Sequence, residues 1–131
     1  MERRTINPWT WQDDLGFVQA NETTAAQRVL YCAGQASVGA DGQALHPRDM
    51  RAQLNQCVDN LDTVLKAAGF TLSDVVRLNI YTTDVDAYFA NLDIVTSRLV
   101  AAGCRSAGTL LGVSRLAIPD LLIEIEATAA R

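Results

Sequence analysis

Two glutamates near the C-terminal end of the chain are the first side chains whose spacing could serve chemistry. Glu124 and Glu126 stand two residues apart in an alternating run, Leu121–Thr128, in which the odd positions are apolar. A period of two is typical of a half-buried strand with one face on the core. The pattern therefore predicts two carboxylates on the face opposite the core. They would be ordinary solvent-exposed glutamates unless another part of the protein covers that face.

Arg105 is the candidate cation to accompany these carboxylates. Arginine binds a carboxylate through two parallel hydrogen bonds, and a glutamate can position and deprotonate a water molecule. Arg105 and Glu124 could thus serve hydrolysis of a small carboxylic acid at a cleft between subunits. Arg105 equally suits a surface position just after Gly103, where a cation complements the dipole of the preceding helix. Both interpretations of Arg105 stay open at this point.

No other group of residues matches a familiar catalytic template. The single histidine, His46, precedes Pro47 in a loop, and a zinc site would need more ligands than the sequence offers. There is no Gly-x-Ser-x-Gly segment for a hydrolase triad and no glycine-rich phosphate loop. Apolar surroundings make Cys32, Cys57 and Cys104 typical of core positions, although a Cys–His pair stays open as a minor alternative. We therefore expect no metal and no cofactor.

Composition and charge restrict the partners. With 131 residues, 49% hydrophobic and 20% charged, the chain suits one globular domain, 1–131. A net charge of −4 argues against nucleic acid, whose phosphates bind cationic surfaces. No apolar run approaches the ~18 residues that span a membrane, and the N-terminal segment lacks the apolar core of a signal peptide. Three widely spaced cysteines are typical of reduced thiols. These features predict a cytoplasmic protein whose partner is a small molecule.

The elements that must position these residues are six strands and two helices. The predicted strands are Arg4–Ile6, Leu15–Ala20, Gln27–Ala36, Val75–Thr82, Thr109–Leu116 and Leu121–Thr128. One helix is predicted to open at His46–Asp49 and to end at Gly69, and the second to run from Asp84 to Gly103. Both helices are expected on one face of a mixed sheet, which leaves the other face uncovered and much of it apolar. Oligomerisation would bury that face.

The order of elements and several short motifs resemble the YjgF/RidA family of imine and enamine deaminases. The motifs are Gly34-Gln35, Ala67–Phe70 leading into Ser73–Val76, Asn91, and Arg115-Leu116 followed by Ile123–Ala127. The similarity covers almost the whole chain from Leu15 onward. It implies an α+β fold like that of bacterial chorismate mutase, a homotrimer, and ligand clefts between subunits.

The resemblance also implies roles for individual residues. The family's deaminases hydrolyse 2-imino or 2-enamino acids, using an arginine for the substrate carboxylate and a glutamate for the water, and Glu124 matches that glutamate. Counting back from Arg115-Leu116 without gaps puts Gly108 where the family has its arginine. Aligning Arg105 there would force extra residues into a paired strand, whereas a β-bulge normally accommodates one. We favour the ungapped register, with Arg105 in the loop before the strand.

The other cleft positions that the resemblance implies are largely apolar in this chain. The predicted substrate cleft comprises Phe17, Ala33, Gly34, Asn91, Gly108, Thr109 and Leu110, with Glu124 and Arg105 as the catalytic residues. Phe17 replaces a family tyrosine, Ala33 replaces a serine, and Leu110 stands where many members carry a cysteine. The chain resembles a divergent branch without the usual deaminase arginine.

Three functions are consistent with this sequence. The first is hydrolysis or rearrangement of a small imine, enamine or related carbonyl compound, with Glu124 handling water. The second is a non-catalytic trimer that binds a small molecule. The third is an accessory or interaction protein with a cleft that has lost its activity. The residues that the resemblance implies would contact the substrate are those in which this chain differs from the family.

Overall fold

A mixed β-sheet forms the centre of the computed structural model, which describes residues 1–131. Its strands are β3 (Val29–Tyr31), β4 (Gln35–Ala36), β5 (Val75–Thr82), β6 (Leu110–Gly112) and β7 (Ile123–Ala130). The order across the sheet is β3-β7-β5-β6, and β4 also pairs with β7. All these pairings are antiparallel except the parallel pair β5–β6. Strand β7 is thus the central strand, and it carries both glutamates.

The helices cover one face of this sheet. Helix α1 (Met50–Ala67) begins at Asp49, whose carboxylate accepts the Ala52 N–H at 3.1 Å. Its apolar side packs against the odd-numbered residues of β7, of which Ile123 and Ile125 are almost fully buried. The chain leaves the helix through Gly69 at φ +76°, a conformation that glycine adopts without strain. The predicted alternation of β7 and the amphipathic first helix are confirmed.

The second helical segment is not the single helix expected from Asp84 to Gly103. It consists of α2 (Val85–Ala90), the single turn α3 (Leu92–Ile94) and a π-helical stretch, Val95–Val100. Asn91 separates α2 from α3 with a backbone outside the helical region. Tyr88 in α2 and Val95 and Leu99 in the π-helical stretch all point into the core. Their spacing in the sequence therefore resembles that of one continuous helix.

Strands β1 (Glu2–Ile6) and β2 (Ala20–Thr24) form a separate antiparallel ribbon. Two of its side chains attach it to the main sheet. Arg3 donates to the carbonyl oxygens of Ser73 and Val75 at 2.9 and 3.1 Å. Asn21 donates to the carbonyl oxygens of Val76 and Arg105, both at 2.8 Å. The ribbon therefore fixes the loop that precedes β6.

Three strand predictions need correction. The expected strand Leu15–Ala20 is instead a 3-10 turn, Asp13–Leu15, followed by Gly16 at φ +81°. The strand itself is Ala20–Thr24, which pairing with β1 stabilises, although its residues Asn21–Thr24 have a polar composition typical of a turn. The expected strand Gln27–Ala36 is interrupted between β3 and β4, and Thr109–Leu116 is reduced to Leu110–Gly112.

The architecture is α+β, a mixed sheet with helices on one face, as the sequence predicted. No helix has both the length and the apolar character needed to cross a membrane. The opposite sheet face carries no helix, and the side chains of Glu124 and Glu126 stand on it.

Candidate functional site

Glu124 lies at the centre of the sheet, beside a gap in the neighbouring strand. Its cross-strand partners are Ala36 on β4 and Tyr81 on β5. A Cβ atom on Gly34 would lie only 2.0 Å from Oε1 of Glu124, so the carboxylate rests directly against the glycine backbone. No protein group donates a hydrogen bond to this carboxylate. The half-buried Glu124 side chain thus keeps its lone pairs for water or a ligand.

Glu126, two residues further along the same face, has a different environment. Its Oε1 atom accepts the Tyr81 hydroxyl at 2.5 Å and the Asn79 amide at 3.2 Å. These two hydrogen bonds, with a smaller contribution from the Arg77 charge, lower the pKa of Glu126 because they favour its ionised form. The same hydrogen bond raises the pKa of Tyr81, because it stabilises the protonated phenol. Glu126 is therefore a structural anion, already satisfied by its own chain.

A recess on the helix-free face adjoins Glu126. It has a volume of ≈ 260 Å³ and is lined by Tyr31, Cys32, Arg77, Asn79, Glu126, Ala127 and Thr128. Sequence patterns alone do not bring these residues together. Period-two alternation along β5 would have placed Arg77, Asn79 and Tyr81 on one face, but the partner strand that brings Glu126 opposite them is known only from the fold.

A second, apolar cavity of ≈ 190 Å³ lies on the helical side of the sheet. Four of the predicted cleft residues line it: Phe17, Gly108, Thr109 and Leu110. Its deeper wall comes from the second helical segment and from β5, including Tyr88, Leu92 and Ile80. Within one chain, none of these residues contacts Glu124 through a hydrogen bond. Glu124 and Gly34 thus lie on one face of the sheet, and the predicted cleft residues that line this cavity lie on the other.

Gly108 is packed against the backbone of β5. Leu78 N–H donates to the carbonyl oxygen of Ala107, and Ile80 N–H donates to that of Thr109, both at 2.9 Å. A Cβ atom on Gly108 would lie 1.7 Å from the Leu78 carbonyl oxygen. The position that the ungapped count matches to the family's arginine therefore leaves no room for any side chain with this backbone.

Arg105 lies in the loop before β6, where the ungapped register places it. Its carbonyl oxygen accepts hydrogen bonds from Arg3 and Asn21, which hold the backbone. Its exposed side chain forms no hydrogen bond or ion pair. It lines a small recess of ≈ 110 Å³ together with Asp13 and Phe17, and Phe17 also lines the apolar cavity. The guanidinium is thus free to bind an anion, and no contact joins it to Glu124 in the same chain.

The remaining predicted cleft residues have mainly structural contacts. Asn91 bonds back to the Ala87 carbonyl oxygen at 2.8 Å and accepts a hydrogen bond from Arg51 at 3.3 Å. It therefore terminates α2 and lies outside both groups described above. Ala33 is exposed next to Gly34, and its carbonyl oxygen accepts the Gln35 side-chain amide at 3.2 Å.

None of the three cysteines forms a disulfide. Burial raises the pKa of the Cys57 thiol to about 12, with a smaller contribution from the charge of Glu124. Burial also raises the pKa values of Cys32 and Cys104. All three are therefore protonated thiols near neutral pH, which does not favour a cysteine nucleophile.

Residues 16–131 match the family model described as Endoribonuclease L-PSP. The chain belongs to the YjgF/RidA family. The solved structure of the Rid family protein YyfB from Yersinia pestis is 39% identical, has a TM-score of 0.88 and covers 100% of both chains.

Curated relatives agree with this assignment. A RutC family protein of Pyrococcus horikoshii is 31% identical over 109 residues, which are 83% of this chain and 84% of the relative. The mitochondrial protein mmf2 of Schizosaccharomyces pombe is 30% identical over 110 residues, 84% of this chain and 86% of its own length. YjgF/RidA membership confirms the resemblance that the motifs predicted.

Proposed function

We propose that this protein hydrolyses a small imine or enamine, with Glu124 activating the water at a cleft between subunits. Water adds to the carbon of the C=N bond and forms a C–O bond. Glu124 takes the proton of the water and returns it to the nitrogen. The product of this addition is a carbinolamine, with a hydroxyl and an amino group on the same carbon. Glu124 then carries the hydroxyl proton to the amino nitrogen, the C–N bond breaks as the C=O bond forms, and ammonia leaves, so atoms and charge balance without a cofactor.

The free carboxylate of Glu124 is the observation that carries this proposal. A general base must have an unoccupied lone pair within hydrogen-bond reach of its water. Glu124 meets this condition beside the exposed Gly34 backbone, whereas Glu126 is already bonded to Tyr81 and Asn79. The glycine matters because any larger residue would occupy the space beside the carboxylate.

A homotrimer would complete this cleft. Large apolar side chains remain exposed in the single chain, among them Trp9, Trp11, Val29, Tyr31, Phe89 and Leu111. Contiguous exposed apolar surface is typical of a protein–protein contact. Three of these residues, Val29, Tyr31 and Leu111, lie on strands of the main sheet. Association would also bring Glu124 of one chain towards Arg105 and Phe17 of the next. Light scattering tests the assembly, because a measured mass close to that of a single chain would contradict the homotrimer.

A small-molecule-binding trimer without catalysis is the second candidate, and Gly108 favours it. A deaminase that binds the substrate carboxylate needs a cation, and the strand position of the family's arginine has none. Arg105 would have to supply that charge from the preceding loop.

The net charge of −4 gives no basis for binding a nucleic-acid backbone, so the proposed ligand is a small metabolite. Three free cysteines favour a reducing compartment such as the cytoplasm.

The test is hydrolysis of 2-imino acids derived from several amino acids, followed as formation of the 2-keto acid above the spontaneous rate. Glu124→Gln should abolish the catalysed part while the trimer survives. Glu126→Gln is the matched control on the same strand and should retain most activity. Equal activity of the native protein and Glu124→Gln would contradict the role of Glu124. No activity with any imine would favour the binding trimer.

A further inference from the structure

The recess beside Glu126 contains two groups of opposite charge that do not pair with each other. Both Arg77 and Glu126 line it. Arg77 is paired with Thr128 across the strands, and Asn79 with Glu126, so Arg77 and Glu126 are diagonal neighbours on the helix-free face. Diagonal neighbours of an antiparallel pair lie about 7–8 Å apart. The arginine and the glutamate therefore border one opening from two different strands.

Arg77 is the cation of this recess. The residue is exposed, and its guanidinium forms no hydrogen bond within the chain. The four ion pairs of the protein use other side chains, namely Arg4, Arg51, Lys66 and Arg98. A guanidinium offers two parallel N–H donors to a carboxylate. Arg77 is thus available to the carboxylate of a ligand.

Glu126 is the anion of this recess. Both hydrogen bonds that it accepts, from Tyr81 and Asn79, end on its Oε1 atom. These two bonds, with a smaller contribution from the Arg77 charge, lower the pKa of Glu126, so the carboxylate is ionised at neutral pH. Its Oε2 atom accepts no hydrogen bond from the chain. That atom is therefore available to an ammonium group.

The two charges together select the class of ligand. A simple anion on Arg77 would lie beside the Glu126 carboxylate, and a simple cation on Glu126 would lie beside the Arg77 guanidinium. Repulsion between like charges weakens both arrangements. A zwitterion satisfies both residues at once. An α-amino acid carries its carboxylate and its ammonium on one carbon atom, so the two groups can face neighbouring residues.

The size and the neutral lining of the recess suit a whole amino acid. The recess measures ≈ 260 Å³, and cavities of about 150 Å³ hold a benzene molecule. The volume thus accommodates the charged groups together with a side chain of up to one ring. Tyr31, Cys32 and Ala127 offer apolar surface for that side chain.

The face that carries the recess is polar along two central strands of the sheet. The side chains of β5 and β7 that point away from the helices are Arg77, Asn79, Tyr81, Glu124, Glu126 and Thr128. The sequence predicted that much of this face is apolar, whereas these two strands present polar groups. Charged side chains lose free energy when they are removed from water without a partner. Association of subunits through this face would therefore leave it hydrated and open to a small polar ligand.

We propose that this recess binds a free α-amino acid, with the carboxylate on Arg77 and the ammonium on Oε2 of Glu126. The site lies within one chain and uses no residue of the apolar cavity on the other sheet face. It goes beyond the proposed hydrolysis, because binding here requires no turnover at Glu124. Either proposal can therefore fail without the other.

Calorimetric titration of the full-length native protein with glycine, L-leucine and L-phenylalanine tests the proposal. These amino acids share both charged groups and differ in the size of the side chain, and at least one of them should bind saturably. Two derivatives of that amino acid test the charges separately. The N-acetyl derivative lacks the ammonium and the amide lacks the carboxylate, so each should bind at least about tenfold more weakly.

Two substitutions of Arg77 test the location. Arg77→Met removes the charge, keeps a long side chain and should weaken amino-acid binding at least about tenfold. Arg77→Lys retains a positive charge and should weaken binding less than Arg77→Met. Both variants should fold, because Arg77 is exposed and bonds to no group of the chain. Lys66→Ala is the matched control, since it removes the same charge from an exposed position on α1 and should bind with native affinity.

Arg105→Ala separates this recess from the proposed cleft between subunits, because it should leave amino-acid binding unchanged. The proposal is overturned if none of the three amino acids binds, or if either derivative binds as tightly as the zwitterion. It is equally overturned if Arg77→Met binds with native affinity, and loss of binding in Arg105→Ala instead would place the amino acid in the cleft. If the native protein binds no amino acid and Arg77→Met has a smaller mass in light scattering, a second copy of the chain occupies the recess.

Discussion

Tyr81 on β5 donates its hydroxyl proton to Oε1 of Glu126 on β7, with the two oxygens 2.5 Å apart. The residues are diagonal neighbours, since Tyr81 is paired with Glu124 and Asn79 with Glu126. The bond occupies Glu126 and leaves the neighbouring carboxylate, Glu124, without a donor. One contact between adjacent strands thus distinguishes two glutamates that look equivalent in the sequence.

Tyr81→Phe should raise the pKa of Glu126 towards its ordinary value of 4.5. In the folded protein this pKa is lowered first by Tyr81, so the ionised carboxylate favours the folded state. That contribution is present above pH 4.5 and is lost as the pH falls through the lowered pKa. The stability difference between the native protein and the variant should therefore shrink on acidification. NMR titration of the side-chain carboxyl carbons and denaturant unfolding at several pH values measure both effects.

At alkaline pH, Tyr81 makes the stability of the fold decrease as the pH rises, which is the opposite of the pH dependence that Glu126 gives in acid. Its pKa is raised from 10.0 chiefly by the hydrogen bond to Glu126, so the protonated phenol favours the folded state. That contribution is present below pH 10.0 and is lost as the pH rises through the raised pKa. Tyr31→Phe, which removes a hydroxyl without a partner, is the control and should shift neither titration. An unchanged pKa of Glu126 in Tyr81→Phe would show that the short contact does not exist in solution.

Gly34→Ala should displace the Glu124 carboxylate without unfolding the protein. The added Cβ would meet Oε1 of Glu124 at 2.0 Å, and all three nearest atoms belong to that flexible side chain. The backbone at Gly34 is not in the left-handed region, so alanine introduces no dihedral strain. If Glu124 positions water, turnover of the imine substrate should fall at least about tenfold while the melting temperature changes little. If a well-folded Gly34→Ala protein hydrolyses the imine at the native rate, Glu124 does not position the water.

The sequence predicted the central strand and the first helix well because local pattern and tertiary environment agree there. Leu121–Thr128 alternates with period two, and helix α1 packs against the predicted apolar face and buries it. Asp49 and Gly69 are conventional helix boundaries, and both lie where the helix begins and ends. These elements position Glu124. The sequence alone therefore predicts that its side chain lies on the sheet face opposite the core, although it does not predict the residues around it.

The errors arise where tertiary pairing overrides local preference. Asn21, Glu22 and Thr23 look like a turn, yet backbone pairing with β1 and the Asn21 contacts make them a strand. The predicted cleft residues do not come together within one chain either, because they lie on both faces of the sheet. The bond between Tyr81 and Glu126 was missed for a related reason: it depends on the register between β5 and β7.

Gly108→Ala should destabilise the protein although the substitution is small. The new Cβ would overlap the Leu78 carbonyl oxygen at 1.7 Å, and a backbone atom cannot move aside as a side chain can. Overpacking of this kind costs about 1–3 kcal/mol. Gly112→Ala, four residues further along in β6, is the control, because its Cβ would meet only the Val85 side chain, at 3.2 Å. Equal unfolding free energies for the two variants, measured in denaturant, would mean that β6 is further from β5 than described.

Arg105→Ala distinguishes the two interpretations of this arginine. Its side chain has no partner in the chain and lies beside Asp13 and Phe17 at a recess, so it is available to a substrate carboxylate from a neighbouring subunit. If it binds that carboxylate, its loss should weaken binding of a 2-keto or 2-imino acid by about 2–4 kcal/mol. Stability should hardly change, because only the Arg105 backbone carries contacts to Arg3 and Asn21.

The control for this measurement is Arg4→Ala, which removes an exposed arginine paired with Glu22 on the terminal ribbon. Its substrate affinity should equal that of the native protein, because Arg4 is not among the residues that line the Arg105 recess. If Arg105→Ala also binds the keto acid with native affinity, Arg105 only complements the dipole of the helical segment that ends before Gly103. Since Gly108 offers no side chain, hydrolysis would then have to proceed without an arginine from this loop or strand, and the non-catalytic binding trimer would become the better account.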